Sequence, residues 1–267
     1  MGLRSLGLDV DKDGLAVDQS GSVTYDDLAR IMIHYSGNAA TDVLIAKLGQ
    51  ERINGVMETA GMDSHTPICL LLEPTLVWMN HEDAPETEQE LLAAKAAFEA
   101  EGCGSTAWVE QYRGDTAWRE SQIDFLTAAQ VETREDSVEQ WRLALLTAEM
   151  LPKGTALEYA QLMAQVATGN FISSEVSALM QSYLETSPSN AIQRVFFFNQ
   201  HGEKPGATAG VLTDVSYAVP KWGKHKDEVR VVVIMANELP ASLWQRAYLL
   251  ESIYLSQVWY AMGFVKS

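Results

Sequence analysis

The chain has 267 residues, 47% of them hydrophobic, and a formal net charge of −17. Length and composition imply a full hydrophobic core, in one large domain or one domain with a sizeable insertion, and exclude a disordered polymer or a membrane protein by composition. Lys and Arg are nowhere concentrated as binding to nucleic-acid phosphates requires, and no stretch approaches the roughly 18 apolar residues of a membrane span, so neither a nucleic acid nor a bilayer is an expected partner.

Residues 1–8 are too short, and too soon followed by acids, to read as a secretory signal. Asp9, Asp11, Asp13 and Gly14 spell the first half of a calcium loop, but Ser20 stands where a bidentate Glu is needed. A solvated acidic turn is the expectation there, with no metal and no other cofactor. His65, His81, His201 and His225 are too scattered for a metal site, and His34 reads as a half-buried helix residue. Cys69 and Cys103 are compatible with one bridge or with two buried thiols.

From Thr24 the pattern becomes helical. Thr24 with Asp27 three residues on makes a capping box, and Leu28, Ile31, Met32 and Tyr35 recur at helical spacing. A polar turn follows, Tyr35-Ser36-Gly37-Asn38, and then Ala39, Ala40, Val43, Leu44 and Leu48 mark a second helix that Gly49 caps. A hydroxyl and an amide two residues apart, held between two apolar-faced helices, are well mounted for chemistry.

The run Ser36-Gly37-Asn38-Ala39-Ala40-Thr41-Asp42 resembles the Ser-Asp-Asn element of class A β-lactamases and related penicillin-recognising serine hydrolases, and the likeness continues through residues 42–49 and 53–62. Gly37 replaces the middle Asp of that element, which removes a carboxylate and is expected to loosen the turn. The resemblance implies an α/β chain of the α+β kind, a β-lactamase/transpeptidase-like antiparallel sheet flanked by helices.

Beyond Met62 the family pattern is expected to lapse. Pro74 is read as ending the apolar run 67–72, residues 82–90 are strongly acidic, and helices are expected over 91–101, broken by Gly102, and over about 137–150. Trp78, Trp108, Trp118 and Trp141 read as packing residues ahead of an aromatic substrate wall. The resemblance calls for a Glu that activates a deacylating water in this segment; Glu110, Glu132, Glu135 and Glu139 are available and none is assigned.

The likeness resumes at 154–163, where Thr155 and Glu158 form another capping box, and at 172–180. Residues 194–199 read as a strand, followed after a Gly-containing turn by Lys204-Pro205-Gly206-Ala207-Thr208, which resembles the family's Lys-Thr-Gly element with Pro205 in place of its Thr. Pro removes a hydroxyl and a backbone donor, and it fits only where the strand edge is unpaired. Residues 211–219 and 229–236 read as further strands and 243–262 as a closing helix. The expected organisation is 1–62, a helical segment with the Ser-x-Asn turn; 63–151, a helical insertion in place of the Ω-loop region; and 152–267, helices, sheet strands and final helix, all in one overall domain.

By resemblance, the nucleophile would be the Ser of a Ser-x-x-Lys about sixty residues before the turn. Only 35 residues precede Ser36, and no serine has Lys three positions on, so the chain is expected to lack an N-terminal segment carrying it and to be inactive alone. Ser36 would relay a proton to the leaving group, Lys204 would supply the cation, Asn38 would hold the substrate amide, and Gly206 with the Ala207 N–H would form the oxyanion side of the site. Turn capping by Ser36 and Asn38, and an ordinary turn position for Lys204, are the plain alternatives. The implied function is acyl-enzyme hydrolysis of a small-molecule or peptide-like amide or ester, outside the cytoplasm as is usual for the family. The other reading is a catalytically inactive protein that keeps the fold for binding or as a scaffold.

Overall fold

A computed structural model describes residues 23–85, 87–103, 107–132, 137–186, 195–249 and Gly263. The acidic turn at Asp9, Asp11 and Asp13, and residues 250–262 of the expected closing helix, lie outside the described residues. The chain divides into two compact units, Met1–Thr66 with Lys153–Ser267, and Pro67–Pro152.

In the first unit, helix α1 (Tyr25–His34) starts at the Thr24–Asp27 capping box and α2 (Asn38–Leu48) stops at Gly49, whose φ of 87° is of the kind glycine adopts freely. Leu28 and Ile31 of α1 close over Ala40 of α2. Helix α3 (Gln50–Thr59) follows directly. After the second unit the chain re-enters with α9 (Ala156–Ala167), opened by the Thr155–Glu158 capping box, and α10 (Ser174–Glu185), opened by the Ser173 side chain on the Val176 N–H.

Three antiparallel strands come next: β1 (Phe198–Thr208), β2 (Val211–Pro220) and β3 (Arg230–Ala236), in spatial order β1-β2-β3. Helix α11 (Ala241–Leu249) is tied to β2 by Trp244 Nε1 donating to the Val211 carbonyl at 3.1 Å. Mixed helix and antiparallel sheet are thus the architecture. One expectation needs correcting: residues 195 and 196 are helical, the strand begins at Phe198, and no turn interrupts it at Gly202. The strand is longer than its apolar run because pairing with β2, in register from Gln200↔Val219 to Thr208↔Val211, carries it through the polar stretch.

Side chains alternate between the faces of a sheet. Val215 and Tyr217 of β2, with Val231, Val233 and Met235 of β3, point to the face that packs against α9 and α10 through Met163, Val166, Phe171 and Leu184. On the other face Phe198 and Ala218 gather Val232 and Ile234.

The second unit holds α4 (Leu72–Trp78), α5 (Glu88–Glu101), α6 (Ala107–Gly114), α7 (Thr116–Glu132) and α8 (Ser137–Met150). Pro74 does not end an element. It occupies the first turn of α4, where its missing N–H has no helical partner to lose. Cys69 and Cys103 are disulfide-bonded, beside a cluster of Val77, Phe98 and Met150. Trp118 is buried with its ring against His81.

Candidate active site

Tyr35, Ser36 and Gly37 connect α1 to α2. The N–H groups of Tyr35 and Gly37 both donate to the Ile31 carbonyl, at 3.1 and 3.2 Å, which folds the chain back sharply on the end of α1. Ser36 takes the left-handed conformation that this demands, with φ of 53°, a state costing an L-residue about 1–2 kcal/mol. Its side chain is exposed at the tip of the turn.

Gly37 is not loose. Its φ of −68° is open to any residue; the constraint is space, since a Cβ there would lie 2.6 Å from Ile31 Cγ2. Gly37 is the N-cap of α2 and contributes no side-chain bond, so neither Ser36 nor Asn38 serves as the cap. Asn38 is exposed in the first turn of α2.

Lys204 lies on β1, opposite Val215, and so emerges on the face covered by α9 and α10. Its ammonium donates to Ser36 Oγ and, at 2.9 Å, to the Pro205 carbonyl. Burial holds the Lys204 amine below the ordinary lysine range, partly opposed by the neighbouring Glu203 carboxylate. Two residues 168 positions apart in sequence therefore share one hydrogen bond.

Helix α10 sets that distance. His34 Nε2 contacts the Tyr183 carbonyl at 2.8 Å, and the Tyr183 hydroxyl donates to Asp26 at 2.6 Å, which fixes α1. Together with Arg30, that hydroxyl keeps the Asp26 carboxyl below the usual carboxylate range. In the same last turn of α10, Glu185 accepts from the buried Tyr217 hydroxyl of β2 at 2.7 Å. Desolvation and that carboxylate push the Tyr217 phenol upward, so it remains neutral. His34 is half-buried and turned to α10, as its sequence position suggested.

Beyond Lys204, Pro205, Gly206 and Ala207 are all exposed on β1, which is the outer strand among the described residues. In an antiparallel pair alternate residues bond to the neighbour and those between face outward. Pro205, having no N–H, fits an outward position, and its carbonyl is indeed the one Lys204 reaches; Ala207, two residues on, shares that direction. Gly206 is required by close approach, since a Cβ would sit 2.6 Å from Thr213 Oγ1.

Sequence reasoning passed over two buried acids. Asp214 on β2, opposite Pro205, is 7% exposed, and burial pushes its carboxyl up to about 6. Its signal was a charge at an inward place in a strand of otherwise buried residues. Glu73 in α4 is wholly buried, whereas Glu110 is exposed and the side chains of Glu132, Glu135 and Glu139 lie outside the described residues. An acid inside an apolar run and directly before Pro was its mark. Among the described residues no group of three or more His, Cys, Asp or Glu could hold a metal ion.

Residues 9–100 match the model of the β-lactamase enzyme family. The match runs past Met62, so residues 63–100, expected to leave the pattern, lie within it. Among solved structures, the chain is similar to a β-lactamase from Sphaerobacter thermophilus DSM 20745, at 16% identity and a TM-score of 0.49, over 92% of this chain and 65% of that one. It is also similar to the β-lactamase from Streptomyces albus G, at 12% identity and a TM-score of 0.48, over 92% of this chain and 71% of that one. The chain thus spans about two thirds of the length of these structures. No curated protein matches it. Over residues 9–100 the chain is β-lactamase-like in sequence, and the turn bearing Ser36 lies inside that stretch while Lys204 lies outside it.

Proposed function

We propose that this chain is the larger part of a β-lactamase-like serine hydrolase that opens an amide or ester through an acyl-enzyme. The observation that carries the reading is the hydrogen bond between Lys204 and Ser36. A hydroxyl bonded to a half-buried ammonium passes a proton to a leaving group without a free hydroxide or hydronium ion, which is the work of a general acid. In this reading Ser36 is that relay and Lys204 both feeds it and attracts an anionic substrate group. Asn38, exposed beside the turn, orients the substrate amide. The outward N–H of Ala207, with Gly206 keeping the strand flat against Thr213, supplies an oxyanion donor, worth on the order of 3 kcal/mol when well placed. The Cys69–Cys103 bridge supports a protein that works in an oxidising, extracytoplasmic compartment.

The test is to incubate the full protein with a fluorescent penicillin and with an activated fluorophosphonate, then locate any adduct by peptide mapping. A covalent adduct on a serine, slowed by Lys204→Met, is the expected result. No adduct with either reagent removes the reading.

Pro205 and Gly37 favour a second one, a binding protein that has kept the fold without the chemistry, because one lacks the strand hydroxyl and the other the turn carboxylate. Reversible penicillin binding, seen by calorimetry with no covalent product, would select it.

A further inference from the structure

We infer that Ser36 is itself a nucleophile, with Lys204 as its general base: a serine–lysine pair contained within these residues, able to take up an acyl group from a small activated ester. This goes beyond the relay role above, in which Ser36 only passes a proton.

Three observations carry it. Ser36 Oγ is bonded to Lys204 Nζ, the geometry a base needs to take the hydroxyl proton. Ser36 is exposed at the tip of a turn and held at φ of 53°, so the hydroxyl is presented to solvent by a backbone that bears strain to do so. The nearest imidazole in sequence, that of His34, has its Nε2 turned to α10, against the Tyr183 carbonyl and the Oγ1 of the C-cap Thr186.

The protonation state fits. Burial of the Lys204 stem lowers the amine's proton affinity, and Glu203 is the carboxylate that works against this; Glu185 on α10 is held by the Tyr217 hydroxyl. A larger fraction of Lys204 is neutral at mildly alkaline pH than for a solvated lysine.

The step balances. Neutral Nζ takes the Ser36 proton as Oγ adds to the ester carbonyl carbon, and the carbonyl π pair moves to oxygen. Collapse re-forms the C=O and expels the alkoxide, which takes the proton from Nζ and leaves as the alcohol. Water then attacks the acyl-Ser36 ester in the same way, giving the carboxylic acid and returning the proton to Oγ.

The experiment uses the 267-residue chain with p-nitrophenyl acetate, reading p-nitrophenol release and the acetylated residue by intact mass and peptide mapping. The expected result is acetylation at Ser36, lowered at least tenfold in both Lys204→Met and Lys204→Arg, since Arg keeps the charge but cannot act as a base. Labelling of the unaltered chain should rise with pH and level off below the ordinary lysine range. Acetylation at another residue, no acetylation, labelling at Ser36 unaffected by Lys204→Arg, or a rate that does not follow pH overturns the inference. If either variant fails to fold by circular dichroism, the pH profile of the unaltered chain decides. Penicillin labelling of a different serine, with Ser36 unmodified by the acetate, would sink this inference and leave the relay reading standing; acetylated Ser36 with no penicillin or fluorophosphonate adduct on any other serine would do the reverse.

Discussion

Tyr217 lies so close to Gly202 that a Cβ on the glycine would sit 2.5 Å from Cε1 and 2.8 Å from the hydroxyl oxygen of the ring. The two residues are directly opposed in β1 and β2, and the ring fills the space that a side chain at 202 would take. Tyr217 is fully buried and its hydroxyl is bonded to Glu185, so it has nowhere to go. Gly202→Ala is therefore expected to destabilise the chain by about 1–3 kcal/mol through overpacking, read by urea denaturation. Because Lys204 is two residues along the same strand, ester turnover should fall with it. A variant as stable as the parent would show that Tyr217 is free to move aside.

A similar crowding governs the turn. Gly37→Asp installs the middle carboxylate of the Ser-Asp-Asn element that this turn resembles, yet it should cost about 1–3 kcal/mol here, because the new Cβ meets Ile31 Cγ2 on a buried side chain. Ile31→Ala removes that methyl. In a double-mutant cycle the cost of the Gly37 change should shrink in the Ile31→Ala background, a coupling measured by denaturation of the four proteins. Strict additivity would mean that the turn has room after all.

Both contacts mark what the sequence showed and what it hid. Helix starts were read where a side chain three residues on closes a local bond, as at Thr24 and Thr155; the same box at Thr87 and Glu90 went unread, and α5 begins at Glu88, ahead of the expected 91. Lys204 and Ser36 could be singled out from their motifs, but their hydrogen bond depends on the last turn of α10 bracing α1 through Tyr183 and β2 through Glu185, which no local pattern encodes. The reason for Gly37 was hidden for the same cause: flexibility is the local reading of a glycine, whereas the structure uses its lack of a side chain. The start of β1 was misplaced because Val195 and Phe196 have strand propensity yet fold as a helical turn, while Gly202 and Pro205 have low propensity and are paired with Tyr217 and Asp214.

The Cys69–Cys103 bridge closes a loop of 34 residues around α4 and α5. Constraint of the unfolded chain over such a loop is worth about 3–4 kcal/mol. Cys69→Ala/Cys103→Ala should lower the urea midpoint of the Pro67–Pro152 unit, followed by hydrogen exchange on α4, α5 and α8. The exchange rates of α9 and the sheet are expected to change far less, since those elements have their own core. Equal acceleration everywhere would mean that the chain unfolds as a single cooperative piece.

Asp214 makes the stability of the sheet depend on pH in a direction opposite to that of an ion-paired acid. Its carboxyl is buried, Oδ1 has no hydrogen-bond partner among the described residues, and the Val215 N–H only partly offsets the desolvation that raises its pKa to about 6 from 3.8. Below about 4 the acid is protonated whether the chain is folded or not, and it adds no pH dependence. Between about 4 and 6 the folded protein binds more protons than the unfolded one, so stability falls as pH rises; above 6 the loss is complete, at about 3 kcal/mol for a two-unit shift. Asp214→Asn removes the charge while keeping the shape. Its stability relative to the parent should be near constant at pH 3–4, grow through pH 5, and level off above pH 6 to 7 in the variant's favour, measured as the difference between paired urea titrations at each pH. Taking the difference cancels the shared titration of Asp26 and Glu158, whose carboxyls are held below the usual range by hydrogen bonds and therefore lose stability as the solution is acidified. A difference that does not change from pH 4 to 7 would mean that Asp214 is solvated, and that the face of the sheet opposite α9 and α10 is open to water at that position.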